Sequence, residues 1–557
     1  MLAPTGVEFK PDFLHIRWMG RVAYQEALDL QRALADSVRA GRSPGHLLLL
    51  EHDPVYTYGA HAVAENFLVD PKLLIEGGAL VIEADRGGDV TFHGPGQLVA
   101  YPILAVERFS SRRWVSVLEA SVRRTLNEFG IDGVTEPEYP GVWVGGKKIC
   151  AIGVRISGGV STHGLALNVT TDLSRFDAIV PCGIEGRGVT SIKSELGERI
   201  SMERIARSLA ASFAAEIGGV GSSFEAAPWP RSDGNDTDEP GEADRQEITN
   251  WPDRRPRAAD GTLRPDYVRA AARFDKGYRS VMSVVRAGEL NTVCEEAKCP
   301  NIYECWADGT ATFMILGDQC TRACGFCNVS TSRPGAVDWD EPDRVARAAA
   351  ALGLSHVVVT SVARDDLSDG GAAAFAATIR AVKKSLAGGS VEVLIPDFKG
   401  DKKSLETVLA ERPDVLNHNV ETVPRLQRLV RPSASYARSL AVLARATGSG
   451  HGIETKSGIM LGLGEDESEV SSVISDLAAV GVSILTIGQY LQPTAAHLPV
   501  QRWWRPDEFD ELADFARRAG IRAVESSPLV RSSYRAHTSH QRLERMNHPV
   551  ELQIQAR

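Results

Sequence analysis

The sequence predicts two folded domains, an α+β domain followed by an α/β partial barrel of the TIM type, and three observations support this. An acidic stretch poor in apolar residues divides the chain of 557 residues into two halves. The first half mixes glycine-punctuated β-rich runs with amphipathic helices, which is typical of α+β folds. The second half alternates short β-branched runs with helices, which predicts a parallel sheet.

The dividing stretch is predicted to be a flexible acidic linker over residues 226–262. Its centre, Arg231 to Asp260, holds nine acidic residues, and Ile248 and Trp251 are its only large apolar ones. Such a stretch cannot bury enough surface to offset its ordering entropy. The predicted domains are therefore residues 1–225 and 263–557.

In the first half, apolar residues at helical spacing predict helices over Tyr24 to Ala40 and Trp114 to Phe129. Strands are expected around Leu47, Thr91 and Val142 and over Gly164 to Val169. In the second half, the expected strands are Val357 to Thr360, Val391 to Leu394, Val415 to Asn417, Gly458 to Leu461 and Ile484 to Ile487. The clearest helices between them are Pro342 to Leu352, Ala372 to Leu386 and Ser468 to Val480.

Composition excludes several classes of protein. Hydrophobic residues make up 43% and charged residues 24%, which excludes collagen-like and wholly disordered chains. The net charge of −10 disfavours a nucleic-acid partner. No apolar run at the start resembles a secretory signal, and no window is long enough to span a membrane. We therefore expect a cytoplasmic protein without a nucleic-acid or membrane partner.

Six of the eight cysteines crowd into two triplets of the second half: Cys294, Cys299 and Cys305, then Cys320, Cys324 and Cys327. Structural zinc is the ordinary interpretation of clustered cysteines, but zinc sites usually close with four ligands. Three thiolates instead suit a [4Fe–4S] cluster with one iron left open for a small molecule. The second spacing, C-x3-C-x2-C with Phe326 beside its last cysteine, is the one that radical S-adenosylmethionine enzymes use.

The second half resembles lipoyl synthase from about Arg264 to Ala536, nearly the whole half. The matching runs are Val293 to Asn301, Ala311 to Cys327, Asp365 to Gly371, Leu416 to Arg425, Thr455 to Gly458, Gly488 to Pro493 and Arg531 to Tyr534. The run Ala311 to Leu316 would be the first barrel strand, delivering the cysteine loop to its carboxyl end, where catalytic loops of such barrels lie.

That resemblance implies two [4Fe–4S] clusters and S-adenosylmethionine as cofactors. Cys320, Cys324 and Cys327 would hold the cluster that cleaves S-adenosylmethionine, and the first triplet an auxiliary cluster consumed as sulfur donor. A serine would complete the auxiliary cluster; Ser533 is expected, with Ser532 as its neighbouring alternative. Asn417 or Glu421 is expected to contact S-adenosylmethionine.

Two cysteines remain in the first half. Cys150 lies in an apolar, strand-like run and is expected to be packing. Cys182, between Pro181 and Gly183, is in a loop of small residues that leaves a thiol accessible. A thiol nucleophile needs a nearby base or cation, and Lys148 is the candidate, although spacing alone cannot bring the two together.

Residues 12–220 resemble octanoyl-[acyl carrier protein]:protein octanoyltransferases, whose fold is shared with lipoate and biotin ligases. The matching runs are Arg86 to Leu98, Gly146 to Ile149, Thr162 to Val169 and Pro181 to Gly183. The resemblance implies Cys182 as acyl-carrying nucleophile and Lys148 as its partner. It implies an acyl pocket formed by Arg86, Gly87, Gly88, Asp89, Val90, Thr91, Phe92, His93, Ala151, Ile152, Gly153, Gly164, Leu165 and Ala166.

Together the two resemblances imply a bifunctional enzyme that octanoylates a lipoyl-domain lysine and then inserts sulfur at C6 and C8. The implied partners are octanoyl-acyl carrier protein, apo lipoyl domains of 2-oxoacid dehydrogenase complexes and glycine cleavage H protein, and a reductant such as ferredoxin or flavodoxin. Two enzymatic alternatives stay open. They are an ATP-dependent lipoate or biotin ligase domain and a different radical enzyme, such as a methylthiolase. A zinc-stabilised adaptor for acidic carrier proteins is the non-enzymatic alternative.

Overall fold

The computed structural model describes residues 14–59, 62–63, 66–106, 110–136, 138–181, 184, 187–198, 200–218, 222–226, 257–268, 276–297, 299, 301–307, 312–386, 388–534, 536–538, 540 and 543. At 222–226, 276–277 and 307 only the backbone is described. The chain divides into two compact units, Met1–Asp253 and Arg254–Arg557, and each is described by itself below. Most of the predicted linker, residues 227–256, lies outside the described residues.

The N-terminal unit is an α+β fold. Its strands are β1 (Leu14–Val22), β2 (Gly45–His52), β3 (Val55–Tyr58), β4 (Leu80–Glu83), β5 (Thr91–His93), β6 (Gln97–Ile103), β7 (Val134–Glu136), β8 (Tyr139–Val144), β9 (Lys147–Ser157), β10 (Val160–Asn168) and β11 (Ser222–Ala226). Its helices are α1 (Tyr24–Arg39), α2 (Pro71–Glu76), α3 (Ser111–Glu128), α4 (Ile192–Leu196) and α5 (Met202–Glu216), with a 3-10 helix at Leu173–Ala178.

Eight of these strands form one mixed sheet in the order β11-β1-β2-β6-β10-β9-β8-β7, and a smaller sheet has the order β4-β3-β5. Helices α3 and α5 cover one face of the large sheet, where Leu118 and Leu209 bury their side chains against Leu47, Leu98 and Leu167. Serine hydroxyls at Ser110 and Ser201 cap the first turns of these two helices by accepting backbone N–H groups. The expected α+β domain is confirmed, and of the small sheet the sequence predicted only the strand around Thr91, which is β5.

The C-terminal unit is an open α/β barrel. Its strands are β12 (Asn291–Thr292), β13 (Thr312–Ile315), β14 (Gln319–Cys320), β15 (Ser330–Thr331), β16 (His356–Ser361), β17 (Ser390–Leu394), β18 (Val415–Asn417), β19 (Glu454–Leu461), β20 (Ile484–Gln489) and β21 (Ala523–Ser526).

The helices of this unit are α6 (Lys276–Ala287), α7 (Val293–Glu296), α8 (Ile302–Ala307), α9 (Glu341–Ala351), α10 (Ala372–Ser385), α11 (Lys402–Leu409), α12 (Gln427–Val430), α13 (Tyr436–Thr447), α14 (Glu467–Ala479) and α15 (Pro506–Arg518). Short 3-10 helices lie at Asp266–Val268, Phe398–Gly400 and Pro424–Leu426.

The barrel sheet has the order β12-β13-β16-β17-β18-β19-β20-β21, and every pair from β13 to β21 is parallel. Strand β12 pairs antiparallel with β13 at one edge, and β21 forms the other edge, so the sheet is a partial barrel, as predicted. The strands are almost continuously buried because helices cover their outer face. Their carboxyl ends all meet at one end of the barrel.

The segment just before the barrel packs on it. The sequence assigns residues 257–262 to the linker, but Ala259 N–H donates to Val500 O at 2.7 Å. Trp503 Nε1–H also donates to Thr262 O at 3.2 Å. These residues therefore belong to the folded surface of the C-terminal unit. None of the helices in the described part of the chain has the length and apolar character needed to cross a membrane.

Candidate active sites

Lys148 lies near the start of β9 with its side chain buried, at 5% exposure. Its Nζ donates to Pro140 O at 3.3 Å and lies 4.7 Å from the ring centroid of Trp143. The carbonyl oxygen accepts a hydrogen bond from the amino group, and the aromatic face lies close beside it. The amine is thus held in one place inside the unit.

The backbone of Lys148 also anchors the loop that follows Cys182. Lys148 N–H donates to Gly188 O, and Thr190 N–H donates to Lys148 O, both at 3.0 Å. Cys182 and Gly183 lie outside the described residues. Gly188 is six positions after Cys182 in the sequence.

Three of the predicted acyl-pocket runs meet at one place. Strands β9 and β10 pair Ala151 with Ala166, Ile152 with Leu165 and Gly153 with Gly164. The loop before β5 lies against them, since Gly87 N–H donates to Val154 O at 3.1 Å. A Cβ on Gly153 would be 2.9 Å from Gly87 O, so the close approach requires glycine.

The charged end of this region is a buried clamp around Thr57. Arg86 donates from Nη2 to Thr57 O at 2.6 Å and to Thr57 Oγ1 at 2.8 Å. His93 Nε2 lies 3.3 Å from the same hydroxyl, and its Nδ1 lies 2.8 Å from Gln97 Oε1. Asp89 accepts from Asn66 Nδ2. The remaining predicted residues of this run, Val90, Thr91 and Phe92, are buried in and before β5.

Sequence reasoning missed a buried group of histidine and tyrosine side chains beside this clamp. His52 Nδ1 lies 2.7 Å from Val22 O, which can only accept, so Nδ1 carries the proton. Burial lowers the pKa of His52 to about 4, so the ring is neutral and Nε2 accepts from Tyr101 at 2.7 Å. Tyr24 packs against His52 and His93. Their only sequence signal is polar residues inside apolar strands.

In the C-terminal unit, a cavity of about 620 Å³ opens at the carboxyl ends of the barrel strands. Both cysteine triplets line this one cavity, together with two serines of the C-terminal motif: Cys294, Cys299, Cys305, Cys320, Cys324, Cys327, Ser532 and Ser533. The triplets are separated in sequence but share one chamber, which the spacing alone could not show.

The loop of Cys320, Cys324 and Cys327 is tightly held. Cys320 Sγ accepts two backbone N–H groups, from Arg322 and Ala363, each at 3.4 Å. Burial raises the pKa of the Cys324 thiol to about 11. Deprotonated thiolates in this loop therefore need a cation, and coordinated iron supplies one.

The first triplet is arranged around short helices. Cys294 lies in α7, Cys305 in α8, and Cys299 N–H between them donates to Cys294 O at 3.0 Å. Burial raises the pKa of Cys294 to about 11. Burial also raises the pKa of Cys299, against the effect of the nearby Arg531 guanidinium, which lowers it.

The donor chemistry fits two iron–sulfur clusters. Each triplet offers three soft thiolates and no fourth cysteine, so the fourth iron of a cubane would take a ligand other than cysteine in each case. In the described part of the chain, no group of three His, Cys, Asp or Glu side chains is arranged to hold a single metal ion. A cubane spreads its thiolates over different irons and so uses a wider arrangement than a single ion does.

The structure separates the two residues expected to contact S-adenosylmethionine. Glu421 lines the cavity with a left-handed backbone at φ 65°, and burial raises the pKa of its carboxyl. Asn417 is completely buried and is not part of the cavity lining. Its Nδ2 donates to Glu392 Oε1 at 3.3 Å, and that carboxylate also accepts from Lys456. Asn417 therefore belongs to a buried charge network, and a contact of Asn417 or Glu421 with S-adenosylmethionine stays a prediction.

Asn419 is a cavity residue that the sequence reasoning did not single out. Its Nδ2 donates to Ser532 Oγ at 2.6 Å and to Glu421 Oε1 at 3.1 Å. The serine loop is held further by Tyr534, whose hydroxyl donates to Glu304 Oε1 at 3.1 Å. Asn419 therefore links the loop with Glu421 to the loop with the two candidate cluster serines.

The chain matches two family models. Residues 23–214 match the lipoyl protein ligase A/B catalytic domain, and residues 314–477 match the radical SAM superfamily. The fold and the sites therefore define a radical S-adenosylmethionine enzyme joined to an acyl-transferring domain of the lipoyl ligase type.

Curated relatives of the second half identify a narrower family than the superfamily model does. The chain is 55% identical over 274 residues to a lipoyl synthase of Rubrobacter xylanophilus, covering 49% of this chain and 85% of the relative. It is 52% identical to a lipoyl synthase of Oceanobacillus iheyensis, covering 49% and 87%. By these matches the chain belongs to the lipoyl synthase family and carries the additional ligase-type domain at its N-terminal side.

Among solved structures, a lipoate-protein ligase A bound with ATP is 18% identical and covers 39% of this chain and 89% of its own, with a TM-score of 0.34.

Proposed function

We propose that this chain builds the lipoyl group on its protein carrier in two reactions. The N-terminal unit transfers octanoyl from octanoyl-acyl carrier protein to a lysine of a lipoyl domain. The C-terminal unit then inserts two sulfur atoms, at C6 and C8. The observation that carries the proposal is the single cavity in which two cysteine triplets and the motif serines meet.

In the first reaction, the Cys182 thiolate attacks the octanoyl thioester and releases the carrier thiol. The new thioester is then attacked by the lipoyl-domain lysine amine, which forms an amide and frees Cys182. Thioester to amide is downhill, so no ATP is required. Lys148 is suited to accept and return the thiol proton, and its backbone bonds to Gly188 and Thr190 support this pairing.

In the second reaction, the residues of the cavity hold the two clusters and orient the cofactor. Cys320, Cys324 and Cys327 would hold the cluster that binds S-adenosylmethionine, and Cys294, Cys299, Cys305 and Ser533 the auxiliary cluster. When bound, these groups supply a carbon-centred oxidant for unactivated C–H bonds and the sulfur atoms to be inserted. Glu421 and Asn419 lie where they can orient a polar cofactor.

The expected partners follow from these reactions. They are octanoyl-acyl carrier protein, and apo lipoyl domains of 2-oxoacid dehydrogenase complexes and of glycine cleavage H protein. A one-electron donor such as ferredoxin or flavodoxin is expected for the second unit. Six free cysteines serving as cluster ligands favour the reducing cytoplasm as the compartment.

The proposal is tested on the full chain purified without oxygen. We expect about eight irons per chain with matching sulfide, and octanoyl transfer that proceeds without ATP. Cys182→Ser should abolish octanoyl transfer but leave sulfur insertion into a pre-octanoylated lipoyl domain intact. Cys150→Ala is the control, because Cys150 is fully buried in β9, two positions after Lys148, and this variant should keep both activities.

Two outcomes would contradict the proposal. Transfer that requires ATP and survives Cys182→Ser would assign the first unit to an acyl-adenylate ligase. A colourless protein that holds zinc and no iron would contradict the assignment of the second unit to radical chemistry.

A further inference from the structure

Arg322 lies inside the loop of the second cysteine triplet, between Cys320 and Cys324. It is the only charged residue from Cys320 to Cys327. Its side chain is buried, at 7% exposure, and does not enter solvent as most arginines do. A buried guanidinium requires partners that neutralise it and use its donors.

Two carboxylates from neighbouring strand ends supply those partners. Arg322 forms a two-pronged ion pair with Asp365, at 2.7 Å from Nε and 2.8 Å from Nη2. Nη2 also donates to Asp397 Oδ1 at 2.7 Å. Asp365 follows β16 and Asp397 follows β17, so one side chain ties the cysteine loop to two strands of the barrel.

Both carboxylates are themselves fixed. Asp365 N–H donates to Thr321 Oγ1 at 3.0 Å. Because Thr321 lies in the cysteine loop, this bond ties the backbone of Asp365 to the same loop. Asp397 also accepts from Arg438 at 3.2 Å and from Lys399 N–H at 3.1 Å. The turn after Asp397 holds Phe398 and Lys399 at φ 45° and 52°, a costly backbone that only a rigid surrounding maintains.

On the far side of the loop, Gly325 forms two main-chain bonds, and His497 Nε2 lies 2.9 Å from Cys327 O. Gly325 N–H donates to Val430 O at 2.9 Å, and Gly325 O accepts from Leu498 N–H at 3.0 Å. Arg322 therefore holds the half of the loop between Cys320 and Cys324, and contacts of Gly325 and Cys327 hold the other half.

We propose that Arg322 is a positioning residue that sets the separation of Cys320 and Cys324 by clamping their loop to Asp365 and Asp397. The proposal rests on the cluster assigned to these cysteines above. Arg322 would act on the cluster through Cys320 and Cys324, the two cysteines on either side of it in the loop.

The test compares variants in a full-length background with Cys294, Cys299 and Cys305 replaced by alanine, so that only the second triplet can be loaded. Arg322→Gln removes the clamp, and Arg322→Lys keeps the charge without the two-pronged geometry. Arg425→Gln is the matched control. Arg425 makes an equivalent two-pronged pair with Glu469, at 2.7 and 2.8 Å, and neither residue lines the cavity.

We expect iron to be lost to a chelator roughly 10-fold faster from Arg322→Gln than from the parent, which is the usual scale for groups that orient metal ligands. Arg322→Lys should lie between the two, and Arg425→Gln should match the parent. The electron paramagnetic resonance spectrum of the reduced cluster should broaden or shift in Arg322→Gln and stay unchanged in the control. Asp365→Asn provides a milder second variant if Arg322→Gln does not fold.

Equal rates of iron loss and identical spectra in the parent, Arg322→Lys and Asp365→Asn would overturn the proposal that Arg322 positions the cysteine loop. So would equal iron loss from Arg322→Gln and Arg425→Gln, since any lost ion pair would then have the same effect. A parent protein that binds no iron would instead refute the proposed function. The iron content of the parent therefore separates that outcome from a failure of the Arg322 proposal.

Discussion

The hydroxyl of Ser532 is occupied by a protein partner, because Asn419 Nδ2 donates to it at 2.6 Å. Ser533, one position later, also lines the cavity, and among the described residues it has no side-chain hydrogen bond. A ligand oxygen must be able to approach iron, so this arrangement favours Ser533 over Ser532. The sequence could not choose between two adjacent identical residues.

Ser533→Ala is therefore expected to weaken the auxiliary cluster. About half of the iron should be lost, with sulfur insertion abolished and reductive cleavage of S-adenosylmethionine retained, because Cys320, Cys324 and Cys327 are untouched. Ser532→Ala is the control and should keep its iron. Iron analysis measures the cluster content of each variant. Product analysis with a pre-octanoylated lipoyl domain measures sulfur insertion and cleavage of S-adenosylmethionine. The reverse pattern would assign the ligand to Ser532.

At the scale of elements, the paired strands β9 and β10 bring the glycines of the predicted acyl site into register. Gly153 and Gly164 face each other across the pair. A Cβ on Gly164 would lie 2.0 Å from Ala100 O, and one on Gly153 would lie 2.9 Å from Gly87 O and 3.2 Å from Arg86 Cδ. Small residues here let three backbone segments pack at distances that a side chain would prevent.

Gly153→Ala should consequently displace the loop that carries Arg86 and Gly87. The alanine methyl meets a backbone oxygen, which cannot rotate away as a long side chain can, so we expect at least about a 10-fold loss of octanoyl transfer. Sulfur insertion into a pre-octanoylated domain by the same chain serves as the control and should be unchanged. Full transfer activity in Gly153→Ala would show that the loop is not part of the acyl site.

For the whole molecule, buried neutral histidines in both units link stability to pH. Burial lowers the pKa of His52 in the N-terminal unit and of His418 in the C-terminal unit from 6.5 to about 4. Each histidine resists protonation in the folded state but accepts a proton near pH 6.5 once unfolded. Each unit therefore loses stability as pH falls from about 6.5 to about 4.

The expected size for His52 is a fall of about 2 kcal/mol in the free energy of unfolding between pH 7 and pH 5. His52→Gln should remove that slope, because an amide can donate to Val22 O and accept from Tyr101 without titrating. Urea unfolding of both full-length proteins at the two pH values provides the comparison, and acid effects on bound cofactors cancel between them. Parallel slopes would mean that His52 is not held neutral.

Much of the molecule was determined by the sequence itself. The helix over Tyr24 to Ala40 and the strands around Val357 and Val391 follow from local periodicity, because amphipathic patterning is set by neighbours in the chain. The two cysteine triplets likewise define their chemistry by ligand type and number, which spacing displays directly.

Only the tertiary structure decided which polar residues share a site. Asn417 and Glu421 are four positions apart, yet one lies in a buried charge network and the other lines the cavity. Arg322 meets Asp365 and Asp397 only because parallel strands end at the same side of the barrel. Such contacts depend on which chain segments the packed core brings together, and local sequence carries no record of that.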